Sequence, residues 1–136
     1  MKLEGNIFKD GKFWLAEIPL LDLLTQGHSR KEAYVMAKDV VISALNKPTV
    51  KITLEKGPDD TFFISASDSR ELIALMLKQL RRKQGFTVRQ ASAQMGSSSP
   101  NAYGVYEQGR SAPTLEKLEE LIGVVEKGRT LLLKLA

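Results

Sequence analysis

The spacing of apolar positions changes about halfway along the chain. Residues 2–8 and 12–18 form two short runs of strand-like alternation, separated by Lys9-Asp10-Gly11. A period of two is strand spacing, and Asp-Gly between such runs predicts a hairpin, because glycine accepts the positive φ the turn needs. Pro19 ends the second run, and residues 23–27 are a third candidate strand. Ser29-Arg30-Lys31-Glu32 then has the form of a capping box, hydroxyl first and glutamate three residues on. Ala33, Met36, Ala37, Val40, Val41, Ala44 and Leu45 follow at helical spacing and make one apolar stripe, suited to packing on a sheet. Asn46 and Pro48 stop that helix. Residues 49–55 and 61–66 are further strands around a Gly57-Pro58-Asp59-Asp60 turn. The order β-β-β-α-β, with one extra strand, predicts a small α+β domain over residues 1–66.

From residue 67 onward the spacing is helical. Asp68-Ser69-Arg70-Glu71 offers an N-cap with a glutamate three residues on. Leu72, Leu75, Met76 and Leu80 fall inward, and Gly85 ends the helix. Thr87 caps a second helix, with Val88, Ala91 and Met95 facing in. Ser92 and Gly96 are small, one for a close crossing and one for a turn with positive φ. Ser97–Ser99 is the turn; Ser99 can cap a third helix with Pro100 at its first position. Tyr103 and Tyr106 point inward, which puts Asn101, Gly104, Val105 and Gln108 on the opposite face. Thr114 opens a last helix carrying Leu115, Leu118, Leu121, Ile122 and Val125 inward, with Glu116, Glu119 and Glu120 outward. The tail, Thr130–Leu135, reads as a strand or a final helical turn, and its apolar content suggests pairing with a second copy.

Two short helices joined tightly over Thr87–Arg110 have the shape of a helix-turn-helix, which lays its second helix in the major groove of DNA. Charge sharpens this expectation. Residues 1–69 carry 9 Lys/Arg against 10 Asp/Glu, whereas residues 70–113 carry 7 against 2. The positive excess lies on the helix-turn-helix segment, as attraction to phosphate requires, although a solvated basic face is the plain alternative. Asn101 and Gln108 can read adenine bidentately, and Val105 can touch a thymine methyl. Gln90, Ser97, Ser98, Ser99 and Gly104 complete the candidate DNA-binding surface, with Arg89 and Arg110 as phosphate contacts. Lys78, Arg81, Arg82 and Lys83 cluster toward the end of the preceding helix as further phosphate contacts; helix-dipole stabilisation alone also accounts for cations there.

Little in the chain points to catalysis. There are no cysteines in its 136 residues, which removes disulfides, thiolate zinc sites and a cysteine nucleophile. The single histidine, His28, precedes a helix and has no evident partner by spacing. Glu4, Asp10, Glu17 and Asp22 lie near strands and turns as scattered acids. The expectation is therefore no catalytic residue, no metal and no cofactor. No apolar run approaches the roughly 20 residues of a membrane span, and the first residues lack a signal-peptide core, so a cytoplasmic protein without membrane contact is expected.

Two resemblances are specific. Gly11–Pro19 (GKFWLAEIP), Thr25-Gln26-Gly27 and Ser29–Ala33 (SRKEA) resemble the N-terminal domain of HicB antitoxins, over residues 1–66. That resemblance implies a partial RNase H-like fold that binds rather than cleaves, with a HicA-like toxin, an mRNA-cleaving protein, as partner. Residues 71–123 resemble the Xre family of Cro-like helix-turn-helix repressors, most clearly in Tyr106-Glu107-Gln108-Gly109-Arg110 with Pro113 and Leu115 behind. One extra residue between Gly96 and Glu107, and the Ser-Ser-Ser-Pro-Asn-Ala-Tyr turn, are similar to HicB-type proteins. Together they imply an antitoxin domain (1–66) and a DNA-binding domain (67–136) that binds operator DNA as a homodimer or higher homo-oligomer. The alternatives are a stand-alone regulator with a ligand- or protein-sensing N-terminal domain, and a metal-dependent nuclease.

Overall fold

A computed structural model describes residues 1–135. The chain forms two compact units, Met1–Leu75 and Met76–Ala136. The division falls inside one helix, nine residues beyond the 66/67 boundary expected from sequence.

The first unit contains β1 (Leu3–Asp10), β2 (Phe13–Ile18), β3 (Leu23–Gly27), α1 (Arg30–Leu45), β4 (Ile52–Lys56) and β5 (Thr61–Ala66). The strands make one antiparallel sheet in the order β3-β2-β1-β5-β4. Its first hairpin turns later than Lys9-Asp10-Gly11 suggests: Lys9 and Asp10 stay in the strand, opposite Trp14 and Phe13. Gly11 and Lys12 make the turn, with Gly11 supplying the positive φ. Pro19 ends β2 by starting a single 3-10 turn, Pro19–Leu21.

Helix α1 begins where Ser29 Oγ accepts from the Glu32 N–H at 3.1 Å, and ends at Asn46 in the left-handed region. It lies on one face of the sheet. Ala33, Ala37 and Val41, four apart, are buried there with Leu3, Ile7, Ala16, Ile18, Phe62 and Ile64. Met36, Val40, Ala44 and Leu45, the rest of the expected stripe, are half-buried. Tyr34 is buried as well and meets the edge of Phe62, ring centroids 6.0 Å apart.

Helix α2 (Ser69–Lys83) crosses from the first unit into the second. The Asp68 carboxylate starts it, accepting from the Arg70 N–H at 3.0 Å and from its guanidinium. Leu72, Ala74, Leu75, Met76, Leu77 and Leu80 are buried, a wider face than the four positions expected. In the second unit α3 (Val88–Gln94), α4 (Gly104–Glu107) and α5 (Leu115–Val125) follow. Thr114 caps α5 as expected, accepting from the Lys117 N–H at 3.1 Å. Leu118, Leu121, Ile122 and Val125 are buried, but Leu115 is exposed. Leu115 is the first residue of α5, so no preceding helical turn flanks it. Residues 130–135 form neither strand nor helix.

Candidate nucleic-acid interface

In the second unit three polar ties join α2, α3 and α4 with its lead-in. The first is Ser92, fully buried on α3. Its hydroxyl donates to Val88 O at 2.8 Å and accepts from the Tyr103 N–H at 3.0 Å. A larger side chain has no room there, and an apolar one leaves the Tyr103 N–H unsatisfied. The second is Tyr103 itself, whose buried hydroxyl donates to Leu77 O on α2 at 3.0 Å. Burial pushes its phenol well above the ordinary value, helped by the nearby Glu107 charge and opposed by Arg81. The third is Arg81, whose Nε and Nη2 donate to the two Glu107 oxygens at 2.6 and 2.7 Å. Its Nη1 donates to Phe86 O at 2.6 Å. The hydrogen bonds to Glu107 raise the Arg81 pKa further.

Between α3 and α4 the chain turns at Gly96, φ +74°. Ser97 Oγ accepts from the Ser99 N–H and Ser99 Oγ from the Asn101 N–H, at 3.1 and 3.4 Å. Residues 100–103 form turns, and regular helix begins at Gly104 and not at Pro100. Val105 N–H donates to Asn101 O and Glu107 N–H to Tyr103 O, both at 3.2 Å, which makes the turn a continuous lead-in to α4.

The candidate contacts separate into three groups. Arg89, Gln90, Ser98, Ser99, Asn101, Gln108 and Arg110 are exposed, while Ser97 and Val105 are half-buried. Gln90 also serves the α3 cap: its Oε1 accepts from the Thr87 N–H at 2.8 Å, and Thr87 Oγ1 accepts from the Gln90 N–H at 3.1 Å. Arg82 and Lys83 are exposed and Lys78 is half-buried.

Two expectations are corrected. Arg81 is not placed as a phosphate contact, because its guanidinium is committed to Glu107 and Phe86 O, with the paired side chains 11% and 9% exposed. Gly104 is not on the exposed face. It is buried, and a Cβ there would overlap Asn101 Oδ1 and lie 3.1 Å from Val88 Cγ1. The bare Gly104 backbone instead lets the Asn101 side chain lie flat against the start of α4. Sequence reading missed the Arg81–Glu107 pair. Its signal was present as one basic residue buried in the helix-end cluster and one acid in the Tyr-Glu-Gln-Gly-Arg stop, but 26 positions separate them.

Residues 77–129 match the family model described as helix-turn-helix. This part of the chain is similar to Xre-like helix-turn-helix domains. Comparison with curated proteins and with solved structures gave no match. The match contains all three ties and every candidate base contact, so Ser92, Tyr103 and the Arg81–Glu107 pair frame the helix-turn-helix, the fold type that supports DNA binding. By their order along the chain, α4 and its lead-in are the candidate recognition element.

Elsewhere, His28 is exposed beside Phe13, ring centroids 5.4 Å apart. Among the described residues no group of three or more His, Asp or Glu is arranged to hold a metal ion, and no helix is long and apolar enough to cross a membrane.

Proposed function

We propose that the chain is an antitoxin that neutralises a HicA-like mRNA interferase by direct binding and represses its own operon through the helix-turn-helix domain. The observation that carries this reading is the set of HicB-like segments in front of a helix-turn-helix domain. Those segments fall in three adjoining elements. Trp14 of β2 stands opposite Gly27 of β3. A Cβ on Gly27 would sit 2.6 Å from the Ala33 N atom, so the Thr-Gln-Gly and Glu-Ala segments meet where the helix starts against the sheet. The pattern therefore has a steric reason in this fold, which supports reading it as one motif. On this account the first unit acts by covering its partner and carries no catalytic group. Homodimers bring two helix-turn-helix domains to a palindromic operator with half-sites about one helical turn (~34 Å) apart.

The test is co-expression with the product of the neighbouring reading frame, expected to be a short basic protein with one central histidine. Stable co-purification, with growth arrest when that product is expressed alone, is the expected result. Harmless expression of the neighbour together with no co-purification overturns the antitoxin reading.

A further inference from the structure

The sheet of the first unit has α1 on one face. Antiparallel sheets with one face in water normally show polar residues there. Strand alternation puts Glu4, Asn6, Phe8 and Asp10 of β1 on the other face. Leu15 of β2 stands directly opposite Phe8, and Glu17 opposite Leu24 of β3, so Leu15 and Leu24 are diagonal neighbours. Phe8 is 41% and Leu24 59% exposed. They form a contiguous apolar strip on a solvent face, the pattern of an interaction site.

Charge indicates the occupant. Carboxylates of Glu4, Asp10, Glu17 and Glu55 surround the strip at outward register positions. Lys2 pairs with Glu55, Lys12 lies over the Phe13 ring, and exposed Lys51 takes the outward position before Ile52, so the four carboxylates still outnumber the cations named. An excess of carboxylates disfavours nucleic acid and anionic lipid. A two-fold contact between identical copies brings together two faces of the same net sign. A basic protein surface with an apolar centre complements the face.

We infer that this open sheet face is the docking surface for a basic protein partner. The inference rests on the antitoxin reading only for the identity of that partner. Phe8, Leu15 and Leu24 supply the apolar centre, and the four carboxylates set orientation and association rate.

The experiment measures binding of the neighbouring-frame product to the full chain by titration calorimetry. Phe8→Ser/Leu24→Ser tests the strip, and Glu4→Lys/Glu17→Lys tests the rim without removing apolar packing. Val35→Ser/Ile42→Ser, on the exposed side of α1, is the control. Circular dichroism establishes that each variant is folded. Each sheet-face pair is expected to weaken binding by roughly tenfold or more, while the control stays within about twofold. Equal binding by all variants overturns the docking surface and leaves the antitoxin reading standing. Failure of the unsubstituted chain to bind overturns the antitoxin reading and removes this occupant with it.

Discussion

Arg81 holds Glu107 through two parallel hydrogen bonds of 2.6 and 2.7 Å, tying the end of α2 to the end of α4. Such a bidentate pair fixes orientation as well as distance. Replacing Glu107 with Gln leaves the Arg81 charge buried and half-partnered. The variant is expected to lose about 3 kcal/mol of stability in urea unfolding. The double variant Arg81→Met/Glu107→Leu should lose less than the sum of the two single changes, because no unpaired charge is left behind. Additive losses would show that the pair is not coupled.

Gly104 and Asn101 give a second test. Alanine favours helix over glycine by about 1 kcal/mol, so Gly104→Ala should change stability little. The added methyl nevertheless occupies the place of Asn101 Oδ1 and displaces that side chain. Operator affinity should fall in Gly104→Ala as it does in Asn101→Ala, for which a loss of ~1–3 kcal/mol is expected. Fluorescence anisotropy on upstream DNA measures both. Unchanged affinity in either variant removes Asn101 from the base contacts.

Tyr103 predicts an alkaline limit. Folded, it binds its proton more tightly than the ordinary phenol of pKa 10.0. The stabilisation is therefore complete below pH 10 and is lost as the pH rises above it. Denaturation midpoints should drop between pH 10 and 12, and Tyr103→Phe should flatten that drop while costing about 1 kcal/mol at neutral pH for the lost bond to Leu77 O. An equally steep drop in Tyr103→Phe assigns the limit to another group.

The C-terminal tail offers a fourth. Leu132, Leu133 and Leu135 are 88, 69 and 100% exposed. Replacing all three with serine, or deleting 129–136, should weaken self-association on analytical sizing. A dimer of undiminished stability excludes the tail from the interface.

What sequence made legible was mainly local. Ser29, Thr87 and Thr114 each cap the helix expected of them, because a cap partner lies only three residues away. Gly96 likewise declared its turn. Relationships across the fold were hidden. Periodicity placed Gly104 on the outer face, but the Asn101 side chain and Val88 of α3 close over its bare backbone and bury it. Arg81 looked like any member of a basic helix end; only the position of Glu107 makes it internal. Phe8 and Leu24 read as ordinary strand residues, since alternation marks two faces without saying which one a helix covers.

DNase footprinting of the unsubstituted chain on DNA upstream of its own reading frame tests the central claim most directly. The account predicts two protected half-sites about one helical turn (~34 Å) apart, with protection fading steeply as salt rises. Uniform weak protection along the fragment, or none at low salt, would contradict it.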